Sequence, residues 1–369
     1  MEFNRRDFGK LALAAAAVPA GTLLAAKPNS DFDGVQIGTI TYSYRGEEGV
    51  NDANQLLKMV VDSGISAIEL MPPDAEAFAG SPAPAGGRGG GGGGARGGSG
   101  GRAARGGSGG FAGGPGGGGG GRGGSGGRGG RGGGGRAQLT PEQEEAQAKA
   151  AATLKDWRLS VSMSKFEEFR KLYNAAGVSI YCHKLTPNEN MSDEEFNYFF
   201  NVAAALGAKQ VSLELPNQPS ALSQRLGDTA LKHGMVAAYH AHEQATVNAW
   251  DGVLAQSMGN AVNIDCGHYY AGTGLSPVPA LEKLQKRIAS AHLKDRTPTQ
   301  RAPDGSTIKD GLNLPWGTGS TPIVEILQAA RKNKWKWPFS VELEYQVPAD
   351  SNAVIEVKKC VEYCRKALA

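Results

Sequence analysis

The sequence predicts a closed parallel (β/α)8 barrel, an α/β fold, on two observations. Short apolar runs alternate with amphipathic stretches about eight times after residue 35, the count at which strand–helix units close into a barrel. Several runs also end in metal-binding or acid–base residues. Asp265 and His268 follow Ala261–Ile264, His292 follows Ile288–Ala291, and Glu342 follows Phe339–Val341. Such a barrel gathers its strand ends, and with them its chemistry, on the C-terminal face.

The elements follow in order. Val35–Tyr42 is rich in β-branched residues and reads as strand one. Asp52–Ser63 places Leu56, Leu57, Val60 and Val61 on one helical face, and Gly64 ends it. Ser66–Leu70 is strand two. Thr140-Pro141-Glu142 opens a helix that runs towards Trp157, with an N-cap, a proline at the first helical position and acids at the positive helix end. Ser164–Ala176 is helical. Val178–Cys182 is strand three and delivers His183 and Lys184. Ser192 caps the next helix, with Glu195 at the box position and Gly207 at its end. Gln210–Leu213 is strand four and delivers Glu214. After a further helix, Met235–Tyr239 is strand five, followed by His240 and His242. Helices over Trp250–Met258, Pro279–Lys286, Thr321–Lys332 and Ser351–Leu368 separate and follow strands six to eight.

Two stretches lie outside this alternation. Residues 1–30 carry Arg5-Arg6-Asp7-Phe8 ahead of an Ala/Leu run that is too short and too Ala-rich to span a membrane well. They read as a twin-arginine export signal, which predicts a periplasmic or exported protein with no membrane span once matured. Residues 31–369 then form the barrel, interrupted at 80–136 by a segment of little but glycine and arginine. Such a segment cannot bury enough surface to offset its ordering entropy and is expected to be a disordered loop. Its RGG repeats resemble nucleic-acid-binding sequences, but aromatic residues interleaved for base stacking are missing, which favours a plain linker.

Charge and cysteines narrow the classes further. The chain has a net charge of +3; the insertion holds eight arginines and no acid, and residues 1–27 have a surplus of two, so the remainder holds −7. An acidic body argues against a polyanionic substrate and against nucleic acid as a partner. Cys182, Cys266, Cys360 and Cys364 form no disulfide framework or zinc knuckle and read as free core thiols. An oligomer is compatible with the sequence.

The chemistry concentrates on strands five to eight, whose ends supply His240, Asp265, His292 and Glu342. Four N and O ligands of mixed type from adjacent strands suit one divalent ion: Mn, Mg, Co or Zn. The pieces "NIDCGH", "AHLKDR" and "SVELE", in that order and spacing, resemble the xylose isomerase-like barrel superfamily of sugar isomerases, epimerases and dehydratases. That superfamily also contains the endonuclease IV type of DNA-repair enzyme. The resemblance covers residues 35–369 apart from the insertion. In such proteins Glu, Asp, His and Glu on strands five to eight hold the metal. Asp265, His292 and Glu342 match, and His240 stands in place of the first Glu, within a His-x-His pair.

The resemblance implies a small-molecule sugar substrate. A metal acts as Lewis acid on the sugar's carbonyl while a base removes the neighbouring proton. Glu342, Glu214 and His183 are candidate bases, with Lys294 as acid or electrostatic stabiliser. His242, His268, Tyr269 and Trp316 are candidate substrate-binding residues. Losing the strand-five glutamate argues against a two-glutamate epimerase and leaves isomerisation or β-elimination, for example on an inosose or a 3-keto-glycoside. Two other classes stay open: an endonuclease-like hydrolase, for which Glu214 stands where a histidine is expected, and a binding protein that acts through the RGG segment.

Overall fold

The computed structural model describes residues 27–82 and 140–369. Eight parallel strands follow one another in chain order: β1 Val35–Ile40, β2 Ala67–Leu70, β3 Ser179–Lys184, β4 Gln210–Glu214, β5 Val236–His240, β6 Asn260–Asp265, β7 Ile288–Leu293 and β8 Phe339–Val341. Each pairs with its predecessor, and β8 also pairs with β1, Phe339 lying opposite both Ala291 and Ile37. The sheet therefore closes into the predicted barrel. A two-residue strand, Asp31–Phe32, turns back antiparallel on β1.

The local chemistry is that of the predicted elements. Asp52 caps Ala53–Asp62 through two backbone N–H groups. Ser192 and Glu195 form the reciprocal capping box of Asp193–Leu206, and Gly207 ends that helix in the left-handed region at φ 83. Helices bury their apolar faces on the barrel. Leu56, Val60, Phe169, Phe200, Leu226, Ile326 and Val357 are all at most 1% exposed, each contributing roughly 1.5–3 kcal/mol of hydrophobic stabilisation. All four cysteines are buried and free, as expected.

The structure differs from the sequence reading in places. Strand one stops at Ile40, and Thr41–Tyr44 is a 3-10 turn. The reason is long-range. Ser43 Oγ donates to the Val341 carbonyl and accepts the Leu343 N–H, which pulls the chain over β8. Cys266–Thr273, to which the sequence analysis assigned no element, is a helix started by Asp265, whose Oδ1 accepts the His268 N–H at 2.7 Å. Pro72–Phe78 is a further helix, and short antiparallel pairs occupy the connection from Asp295 to Leu314.

The chain divides into two compact units, residues 1–91 with 154–369, and residues 92–153. Of the second, 140–153 are described. They begin helix Pro141–Ser160, which Thr140 and Gln143 cap reciprocally and which has no buried residue. The predicted export signal and the predicted disordered insertion lie outside the described residues, except for 27–30 and 80–82. No helix among the described residues is long and apolar enough to cross a membrane.

Within the first unit, Glu76 and Arg158 tie together the two sides of that insertion. Arg158 Nε and Nη2 reach the two carboxylate oxygens of Glu76 at 2.8 and 3.0 Å, and Tyr198 Oη donates to Glu76 at 3.0 Å. The pair is largely buried, at 15% and 9% side-chain exposure. Removing one partner strands the other charge, so Arg158→Ala should cost about 3 kcal/mol of unfolding free energy. The double change Glu76→Gln with Arg158→Met should cost clearly less. Urea melts of the three proteins check this.

Candidate metal centre

The parallel register decides which strand ends meet. Asp265 lies opposite His292, His292 opposite Ser340, and Asn263 opposite His240. Glu342 follows directly on β8. His240, Asp265, His292 and Glu342 are all buried, and each offers one donor atom within 4.8 Å of the other three. Donors that share one ion at roughly 2.0–2.6 Å can lie no more than about 5 Å apart, so the set is compatible with a single cation.

His292 is held from both sides. Its Nδ1 is 2.6 Å from Glu342 Oε2, and its Nε2 is 2.8 Å from Glu69 Oε2. Glu69 also accepts from Ser212 Oγ at 2.5 Å. Burial alone would raise the Glu69 carboxyl, but His292, Lys184 and Ser212 hold it below its usual range. Burial would lower His292, and the two carboxylates instead push it up to about 10. A carboxylate on the far nitrogen is the usual device that orients a metal-ligating imidazole. The sequence analysis gave Glu69 no role. Its signal was a lone carboxylate inside the apolar run Ala67–Leu70.

Asp265 divides its oxygens. Oδ1 caps the following helix, while Oδ2 has no hydrogen-bond partner among the described residues and sits 3.2 Å from Lys294 Nζ. A buried carboxylate oxygen that makes no hydrogen bond is costly even beside a countercharge, and burial raises the Asp265 carboxyl above its ordinary value despite Lys294. His240 likewise keeps a buried Nδ1 without a partner among the described residues. These orphaned donors, with the buried carboxylates of Glu69 and Glu342 around them, are what a site for a divalent cation requires.

Lys294 lies 3.1 Å from Glu342 Oε2 and 2.7 Å from Glu344 Oε2. Burial opposes its charge, yet Asp265, Glu342 and Glu344 raise it above the ordinary lysine value. Glu342 is in turn held well below the carboxylate range: burial would raise it, but Lys294 and His292 outweigh burial. His268 faces two cationic donors, Arg296 Nη1 at its Nδ1 and Lys294 Nζ at its Nε2, 2.6 and 2.9 Å away. Burial and these cations keep its ring neutral. A neutral imidazole accepts at one nitrogen only. His240, His242 and His268 also offer donors within 4.8 Å, but Arg296 and Lys294 already contend for the one accepting nitrogen of His268.

The remaining predicted residues are spread around this cluster. Glu214 and His242 stand half-exposed at the strand ends. Lys184 Nζ binds Glu214 Oε1 at 2.7 Å, and Glu214 Oε2 is 3.6 Å from His242 Nε2. The charges acting on Lys184 are Glu214, Glu69 and Glu342, those of the site. The charge acting on His183 is Arg158, outside the cluster. Strand three thus brings Lys184 to the centre and leaves His183 in a separate buried position. Tyr269 is 5% exposed within the core, and Trp316 packs edge-on against Tyr363, with centroids 5.9 Å apart. Asp295 and Arg296, both unassigned from sequence, build the wall. Asp295 accepts the N–H groups of Gly317, Gly319 and Thr321, and Arg296 pairs with Glu243 at 2.8 Å.

No family model matches the chain, and no curated relative does. Solved structures do. A sugar phosphate isomerase/epimerase from Parabacteroides distasonis aligns over 89% of this chain and 93% of its own, with 14% identity and a TM-score of 0.50. The probable 3-DHS dehydratase AsbF from Bacillus anthracis aligns over 88% and 98%, with 12% identity and a TM-score of 0.51. Likeness at this identity shows a shared barrel fold.

His183 gives a pH prediction. Burial lowers its imidazole to about 4, against a weaker opposing pull from the Leu70 carbonyl. The unfolded chain binds that proton near pH 6.5, so stability falls as pH drops from about 6.5 to 4, by roughly 3 kcal/mol from this residue. Chemical denaturation at pH 7 and pH 4.5 should show a smaller acid loss in His183→Asn than in the wild type.

Proposed function

We propose that this chain is a divalent-metal-dependent enzyme of the sugar isomerase and epimerase type that removes the proton next to a sugar carbonyl. The observation that carries the reading is the convergence of four buried donors, His240, Asp265, His292 and Glu342, with Asp265 Oδ2 left without a hydrogen-bond partner among the described residues. These four residues would hold the ion, which when bound supplies Lewis-acid polarisation of a carbonyl oxygen.

The protein's own groups divide the remaining work. Glu69 keeps the His292 ring in place through Nε2. Glu342 accepts from His292, pairs with Lys294 and is a poor base in those surroundings, which suits a ligand. Glu214 is the better proton acceptor. It is 47% exposed, Lys184 fixes its Oε1, and its Oε2 lies 3.6 Å from His242 Nε2, beyond hydrogen-bond distance of it. The surroundings therefore reverse the order in which the sequence ranked these two glutamates. Lys294 supplies a fixed positive charge against the negative charge that grows on the substrate oxygen.

A second reading, dehydration or lyase chemistry, has one observation in its favour. Strand five ends in a buried histidine, and among the described carboxylates at the strand ends Glu214, at 47%, is more exposed than Glu344 at 23%. One base suits isomerisation or loss of a β-substituent better than proton exchange on two faces of a sugar. The fold shared with a probable dehydratase agrees with this but does not decide it. With the export signal read from residues 1–30, the substrate is a free or glycosidically linked sugar met outside the cytoplasm.

The test is a screen of metal-reconstituted protein against free ketoses, inososes and 3-keto-glycosides, followed by NMR in deuterated solvent. Exchange of the proton beside the carbonyl is expected. Glu214→Gln should retain the metal and lower turnover by roughly 10²–10⁴-fold, whereas Asp265→Asn should lose metal and turnover together. A fully active Glu214→Gln with no solvent exchange would sink the enolisation reading and favour hydrolysis.

A further inference from the structure

Lys294 and a divalent ion make demands on the same oxygens. Its Nζ is 3.2 Å from Asp265 Oδ2 and 3.1 Å from Glu342 Oε2, and both residues belong to the four that offer donors to an ion. It also reaches Glu344 Oε2 at 2.7 Å and His268 Nε2 at 2.9 Å. An ammonium has three hydrogens; its hydrogen bonds go to Glu344 and His268, while Asp265 Oδ2 is held by charge alone. The side chain is 2% exposed. Its stem is walled in by Gly267, where a Cβ would stand 2.7 Å from the Lys294 carbonyl oxygen and 2.9 Å from its Cβ. The charge is thus confined beside the two carboxylates.

We propose that Lys294 is a tethered cation that competes with the metal for Asp265 and Glu342, and so keeps the metal weakly held and exchangeable. The inference rests on the metal reading above. Two like charges a few ångströms apart in a poorly screened interior repel strongly. The same carboxylates cannot satisfy both cations fully. Glu344 and His268 explain why the lysine is tolerated: they keep two ammonium hydrogens bonded while Asp265 and Glu342 turn to an ion.

The probe is Mn²⁺, titrated calorimetrically into full-length protein stripped with a chelator. Lys294→Met should bind Mn²⁺ more tightly than wild type, on the order of 10–100-fold. Lys294→Gln, which keeps a donor for Glu344, should shift in the same direction and serves where the methionine variant does not fold. Circular dichroism melts report folding. In the unsubstituted protein, Zn²⁺ should move the ¹⁵N resonance of the Lys294 ammonium, a readout that needs no variant. Equal or weaker Mn²⁺ binding by a folded Lys294 variant, or an unmoved ammonium resonance at saturating Zn²⁺, overturns the proposal. If the wild type binds Mn²⁺ no better than Asp265→Asn, the metal reading itself fails, and this inference falls with it.

Discussion

A histidine clamped between two buried carboxylates sets the geometry of the C-terminal mouth of this barrel. Glu69 and Glu342 come from strands two and eight, and they reach opposite nitrogens of His292 on strand seven. The three side chains span the barrel interior and fix one another's rotamers. Three ionisable groups at or near full burial are expensive to remove from water. They persist because each has partners: Ser212 and Asn263 at Glu69, and Lys294 at Glu342. The stability of the arrangement is collective, and losing one member would leave the others charged and unpaired.

The segment His292–Arg296 shows how one short stretch serves several purposes. His292 points to the buried carboxylates and Lys294 to the acidic residues around them. Asp295 turns instead to the loop at Gly317–Thr321 and satisfies three of its N–H groups. A Cβ at Gly319 would stand 2.2 Å from Asp295 Oδ1, so this close approach needs glycine. Arg296 pins His268 and binds the Gly311 carbonyl at 2.7 Å. The wall of the site is therefore positioned by the strand that supplies a candidate ligand, which couples loop order to the centre.

The chain also shows how a barrel accommodates a long interruption. Loop closure costs grow only slowly with length, so what matters is that the flanking segments are fixed. The bidentate Glu76–Arg158 pair does this, with Arg158 lying over the rings of Tyr198 and Phe199. The pair joins the helix before the interruption to the end of the helix after it.

The sequence by itself determined the barrel and its order of strands. Short apolar runs, capping residues and terminal glycines are local signals, and each acts over a few residues. It also determined that His240, Asp265, His292 and Glu342 share one end, because residues that follow successive parallel strands must do so. Tertiary structure alone decided which neighbours those residues have. Glu69 and His292 are 223 positions apart and meet only because the sheet closes. Lys184, not His183, enters the centre beside its register partner Ser212, on a strand that carries one extra residue, Tyr181, between the partners of Ile68 and Glu69. A one-residue shift in a strand moves a side chain to the opposite face. The end of strand one was illegible because the Ser43 hydroxyl bonds backbone groups of Val341 and Leu343, 298 and 300 positions away, a choice made only when the chain is folded.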